Sequence, residues 1–181
     1  SLALDPNDPA ALGPSAAPAD LIKESDTANF GTDVIEPSME VPIIVDFWAP
    51  WCGPCKQLGP MLEKLVTQAG GLVRMVKINV DENKELAGQM RIQSIPAVFA
   101  FKDGQPADGF VGAQTERQIK DFIGRLIGDA KTPLDAALEQ AKAAMANGDI
   151  DAAGTIYMDV MRQDPENTAA IAGLIRCSVT I

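Results

Sequence analysis

No histidine occurs anywhere in the 181 residues, and cysteine appears only three times, as Cys52, Cys55 and Cys177. A structural zinc site needs four ligands, typically Cys and His. Cys52 and Cys55 supply half of one. Cys177 lies far away in a different kind of sequence, so no metal set is completed and no cofactor is expected. The low, odd count also argues against a disulfide framework. No cluster of Lys or Arg is present: 15 basic residues face 25 acidic ones, and the net charge of -10 is spread along the chain. Nucleic acid and anionic membrane are therefore not expected as partners. No apolar run approaches the roughly 18 residues of a membrane span. Ahead of Lys23 there is no Lys or Arg and no apolar core, so no signal peptide is expected. A close cysteine pair in a cysteine-poor chain suits a reducing compartment, and a cytoplasmic location is expected.

What is present centres on Trp51-Cys52-Gly53-Pro54-Cys55-Lys56. It follows the apolar run Ile43-Ile44-Val45-Asp46-Phe47-Trp48. Behind it Leu58, Met61, Leu62, Leu65, Val66 and Ala69 recur at helical steps. The cysteines thus fall where a strand ends and a helix begins. Unpaired N–H groups and a partial positive charge at a helix N-terminus favour an anion. A thiolate at Cys52 would gain from both, and the thiolate is the nucleophilic form. Pro54 is tolerated in the first turn. Cys55, three positions on, can reach back to close a small disulfide. A plain pair of packed thiols is the alternative reading.

Taken in order, residues 1–20 are rich in Ala, Pro and Asp and read as a disordered tail; such segments can also fold on a partner. Leu21-Ile22-Lys23 is an expected edge strand. Phe30, Val34, Ile35 and Met39 follow at helical spacing. Ile43–Trp48 is expected to be a central strand, because it is apolar without alternation. Asp46 breaks that run: it is either turned to solvent or buried and in need of a partner. A helix is expected over 52–69, with Pro60 as a kink and Gly70-Gly71 as its end. Val73–Val80 reads as a strand carrying Lys77, Asp81 to Met90 as a short helix, and Ala97–Phe101 as a strand. Asp103-Gly104 is a hairpin turn signal leading to a strand over Gly109–Val111. Thr115 and Gln118 form a capping box ahead of a helix with Ile119, Phe122, Ile123, Leu126 and Ile127 on one face. The expected class is α/β, a mixed sheet between helices.

The segment Val45 to Lys56, with Lys77, Asp81, Ile95-Pro96, Asp103-Gly104 and Gly112 in order behind it, resembles the thioredoxin family over roughly residues 20 to 127. That resemblance implies the thioredoxin fold and the activity of a protein dithiol–disulfide oxidoreductase, acting as a reductant. It implies that Cys52 attacks and Cys55 resolves. Asp46 would be the proton acceptor for Cys55, and Lys77 would pair with Asp46 and tune it. A strand lysine extending to solvent is the alternative for Lys77. Ile95-Pro96 resembles the family's cis-proline loop, where the backbone of Ile95 would pair with an extended substrate. Trp51, Gly53, Pro54 and Gly112 would complete a flat apolar binding surface. Expected partners are protein clients with disulfides or exposed cysteines, and a thioredoxin reductase or other thiol donor.

The character changes after a linker at 128–132. Residues 133–181 contain no strand candidate and read as all-α, with breaks at Asn147-Gly148-Asp149 and Asp164-Pro165. Gly148, Ala153, Tyr157 and Pro165 resemble the pattern of a tetratricopeptide repeat, about 34 residues long. Thr168–Ile181 is then the first helix of a second repeat, with Ile171 and Leu174 facing inward and Cys177 a packing residue. The expected domains are thus a tail (1–20), a thioredoxin domain (21–127), a linker (128–132) and helical repeats (133–181) that begin a longer array. This layout resembles the YbbN/CnoX-type bacterial chaperedoxins. The resemblance implies chaperone-type client binding and hand-over to a GroEL-type chaperonin.

Overall fold

Residues 18–180 are described by the computed structural model. Most of the expected tail therefore lies outside the described residues. Where its end was expected, Pro18–Leu21 forms a single helical turn, α1. The chain divides into two units, the first ending at Leu126 and the second starting at Ile127.

The first unit is built on a five-stranded sheet in the order β1-β3-β2-β4-β5. Its strands are β1 (Ile22–Ser25), β2 (Ile43–Trp48), β3 (Arg74–Asn79), β4 (Ala97–Lys102) and β5 (Gln105–Val111). β3 runs parallel to both β1 and β2, whereas β4 is antiparallel to β2 and β5. The helices are α2 (Gly53–Gln68), α3 (Lys84–Gln89) and α4 (Glu116–Ile127).

β2 sits between β3 and β4, which is why its sequence shows no polar alternation: Ile43 to Phe47 are all buried. Side chains still alternate across the sheet. Ile43, Val45 and Phe47 share one core cluster with Val34, Val76, Ile78 and Phe101. Full burial of a side chain such as Phe47 contributes about 1.5–3 kcal/mol. Ile44, Asp46 and Trp48 take the other face, towards α2; a Cβ placed on Gly59 of that helix would lie 4.0 Å from Asp46 Oδ2.

Several boundaries differ from expectation. The edge strand starts one residue later than expected and runs to Ser25, because Leu21 closes the helical turn and is buried. Phe30 to Met39 is no regular helix: a π-helical turn, Gly31–Ile35, meets a 3-10 turn, Pro37–Met39, where Pro37 interrupts the ladder. β5 is longer than expected, and its first residues, Gln105 to Ala107, are exposed. Pro106 is tolerated there because β5 is an edge strand, with a register shift opposite Ala100/Phe101. Asp103 and Gly104 both have positive φ (54° and 79°), the twist a two-residue hairpin requires. The Thr115–Gln118 box is made in both directions, at 2.9 and 3.2 Å.

The second unit holds α5 (Pro133–Ala146), α6 (Ile150–Gln163) and α7 (Thr168–Val179). α5 opens with a reciprocal cap between Thr132 and Asp135, and α6 and α7 open on side-chain caps from Asp149 and Asn167. Gly148 takes φ 80° between α5 and α6. The unit's core is Leu134, Ala141, Ala153, Tyr157, Val160, Ala170 and Cys177, with Leu174 packed against it. Ile171 does not face inward as expected; it is exposed. The inward row on α7 is Ala170, Gly173 and Cys177, small residues that admit the Tyr157 ring.

Candidate active site

β2 ends at Trp48, and a tight turn carries the chain into α2, with the Cys52 N–H donating to the Ala49 carbonyl at 3.1 Å. Cys52 is the N-cap of α2. Its backbone is extended (φ -83°, ψ 105°) and its sulfur accepts the Cys55 N–H at 3.3 Å. Pro54 falls in the first turn, where its missing N–H leaves no bond unmade. Cys55 stands one turn on, and the two sulfurs are joined in a disulfide. Both cysteines are nearly buried, against Ala49 and the partly buried Trp48, Val80 and Ile95.

Beneath them lies a pocket of about 250 Å³ lined by Asp46, Cys55, Lys56, Gly59, Glu63 and Lys77, with the Trp48–Pro50 turn and Pro60 at its edge. Asp46 is only 2 % exposed. Its Oδ1 finds no hydrogen-bond partner among the described residues. Burial raises its carboxyl from the usual 3.8 to about 6; the Lys77 charge pulls it down and Glu63 pushes it further up.

Lys77 is the register partner of Asp46 on the adjacent parallel strand. Its ion-pair partner, however, is Glu63, with Nζ to Oε1 at 3.4 Å. The ammonium also sits 5.4 Å from the Trp48 ring centroid. The expected Asp46–Lys77 pair is therefore replaced by a three-group arrangement, in which Lys77 acts on Asp46 through space. The physical reason is that α2 delivers a second carboxylate to the same pocket.

The rim carries the remaining expected residues. Trp51 is 69 % exposed, and its Nε1–H donates to both Asp81 carboxylate oxygens, at 3.0 and 3.2 Å. Gly53 and Pro54 are exposed. The Ile95–Pro96 peptide is cis, and Ile95 packs against the cysteine cluster. Gly112, with φ 88°, donates its N–H to the Pro96 carbonyl at 2.8 Å. The cis loop is thereby tied to the end of β5 beside the disulfide. Pro96 itself is buried, so the loop offers Ile95 rather than the proline ring to the surface.

Glu63 is the member that reading the sequence missed. The signal was available: Cys55, Gly59 and Glu63 recur every fourth residue, one stripe of a helix. That this stripe meets Lys77 is a matter of tertiary packing, which brings Glu63 Oε1 to 3.4 Å from the Lys77 ammonium.

The described residues contain no helix long and apolar enough to cross a membrane, and no cluster of three or more metal-ligating side chains. The family model described as "Thioredoxin" matches residues 21–125. Thioredoxin 1 of Synechococcus elongatus is 48% identical over 98 residues, 54% of this chain and 90% of that protein. Thioredoxin of Mycobacterium bovis is 42% identical over 109 residues, 58% of this chain and 91% of its own length. Mitochondrial thioredoxin of Mus musculus is 46% identical over 89 residues, 49% of this chain. The chain spans 54% of the length of that mitochondrial relative.

Proposed function

The chain belongs to the thioredoxin family and carries its fold in the first unit; from that premise we propose that it is a protein dithiol–disulfide oxidoreductase. The observation that carries the reading is a cysteine whose sulfur caps α2, joined to a second cysteine above a buried acid.

In the proposed cycle the Cys52 thiolate attacks one sulfur of a client disulfide. A Cys52–client bond forms, and the client's other sulfur leaves as a thiolate. Cys55 then gives its proton, through the pocket, to the Asp46 carboxylate. The Cys55 thiolate attacks Cys52, and the second client sulfur leaves. Two electrons pass to the client, and the Cys52–Cys55 disulfide remains. A thiol donor of the thioredoxin reductase type restores the dithiol. An acceptor titrating near neutral suits the proton step. Ile95 and Gly112, with Trp51, Gly53 and Pro54, form the surface on which an extended client segment lies. The setting is a reducing one, the cytoplasm.

The test is a trap. Cys55→Ala removes the resolving sulfur, so reduced variant mixed with a disulfide client should retain the client on Cys52, releasable by dithiothreitol. Absence of any such adduct, with wild type also failing to reduce insulin, would overturn the reading.

A second, compatible activity concerns the helical unit. Met158 on α6 and Ile171, Ile175 and Val179 on α7 are exposed. The last three fall at every fourth residue, a continuous stripe. Ala137, Ala141 and Met145 on α5 lie about 34 residues earlier, one repeat length. Those three belong to the core that α5 shares with α6. We infer that α5–α7 forms a tetratricopeptide-like unit and that the α7 stripe, whose counterpart on α5 is covered by α6, takes an apolar, helix-forming segment in the same way, as an unfolded client offers. Hand-over to a GroEL-type chaperonin belongs to the same reading. Suppression of aggregation of a heat-denatured enzyme tests it: Ile175→Asp should abolish the effect, and Cys52→Ser should leave it.

A further inference from the structure

We propose that Glu63 is a positioning residue for the proton step: it holds the Lys77 ammonium on the α2 side of the pocket and so keeps Asp46 free to accept the Cys55 proton. The inference deepens the dithiol reading above and rests on it for its chemistry.

Asp46 and Lys77 are paired in register on neighbouring strands, and both line the pocket that Cys55 closes. With no other anion present, a lysine so placed would extend to the buried carboxylate, because an unpaired buried charge is costly. Instead its ammonium lies 3.4 Å from Glu63 Oε1 and 5.4 Å from the centroid of Trp48. Asp46 Oδ1 is left without a hydrogen bond among the described residues. Glu63 thus competes with Asp46 for one cation, and its own charge adds repulsion. Both effects act in the same direction, since each favours the protonated form of Asp46.

The groups facing Asp46 can be named from each side. From α2 come Cys55, Lys56 and Glu63; from β3 comes Lys77. On β4 the register partner is Val98, which is apolar. Lys56 and Lys77 are the cations of the pocket lining, and Glu63 is its second carboxylate. Glu63 is also half-exposed, on the outer part of α2. Its replacement should therefore leave the fold intact.

The sign of the effect follows. In Glu63→Gln the repulsion is lost and Lys77 is released towards Asp46, so Asp46 holds its proton less tightly. Its titration should move to lower pH. The acid limb of client reduction should move with it, while turnover well above neutral is left to the weakened base. Glu63→Asp retains the charge and should titrate close to wild type.

The experiment is a carbon-13 titration of the Asp46 carboxyl in the oxidised full chain, for wild type, Glu63→Gln and Glu63→Asp. Thermal melting checks that each variant is folded. A lower midpoint in Glu63→Gln, with Glu63→Asp near wild type, supports the proposal. An unchanged or higher midpoint in Glu63→Gln overturns it, as does an equal drop in Glu63→Asp. The titration needs no turnover, so it decides the role of Glu63 even if wild type fails to reduce insulin. That second failure would count against the dithiol reading alone.

Discussion

The Tyr157 ring occupies the space a side chain on Gly173 would need: a Cβ there would stand 2.3 Å from Tyr157 Cζ and 2.5 Å from two further ring carbons. α6 and α7 meet through this contact, and Tyr157 is 1% exposed. The ring is enclosed and cannot simply swing away.

Gly173→Ala should therefore destabilise the helical unit by about 1–3 kcal/mol, the usual cost of overpacking a filled core. Hydrogen exchange at the amides of α6 and α7 measures it. Protection should fall there and stay unchanged in β2 and β3. A variant as protected as wild type would show that the ring has room to move.

Stability should depend on pH through Asp46 in an unusual direction. Its carboxyl is raised to about 6 from 3.8. Between those values the folded state binds more protons than the unfolded chain, so stability falls as pH rises through that window. The penalty is complete above about pH 6 and absent below about 4. A shift of this size corresponds to at most about 3 kcal/mol. Asp46→Asn carries no such penalty. The stability of the variant relative to wild type should thus be greater at pH 7.5 than at pH 3.5 by up to about 3 kcal/mol. Urea unfolding followed by tryptophan emission suits the measurement, since Trp48 and Trp51 are the chain's two tryptophans and both lie in the first unit. An equal difference at the two pH values would place Asp46 in water.

The bond between Trp51 and Asp81 orients an indole that is otherwise largely in solvent. Asp81→Ala should leave stability within about 1 kcal/mol, because the bond is exposed. It should slow client reduction about two- to fivefold, the equivalent of about 0.5–1 kcal/mol for re-ordering one side chain on binding. Faster exchange of the indole proton, read by nuclear magnetic resonance, should accompany the slower rate. A rate unchanged alongside a freed indole would remove Trp51 from the client surface.

Ile175→Asp adds a charge to a residue that is 60% exposed, so the helical unit should lose under about 0.5 kcal/mol. Client holding, by contrast, should be lost. Binding of a hydrophobic dye should fall together with suppression of aggregation. If dye binding falls and holding persists, the client lies elsewhere.

How much was legible in advance varied with the range of the interaction involved. The Cys52 turn rests on local rules: an apolar strand, a helical periodicity and a proline in the first turn. The lone acid in Ile43–Trp48 was equally visible, because one carboxylate in a continuous apolar run has few tolerable explanations. Glu63 was not, since its meaning depends on the register that sets Lys77 beside Asp46. The start of β5 was missed because an exposed edge strand needs no alternating apolar residues. The apolar character of Ile171 points inward, yet the residue is exposed. Which face of α7 is covered is decided by Tyr157, whose bulk selects the row of small residues.

Cys52 holds two offices at once. Its sulfur is the first fastening of α2, accepting the Cys55 N–H, and it is also the atom proposed to change bonding partners in every cycle. A serine at this position preserves the fastening and silences the chemistry, whereas an alanine removes both and costs the helix about 1 kcal/mol. An inactive protein made with alanine would thus mix a chemical defect with a mechanical one, and serine is the substitution that separates them.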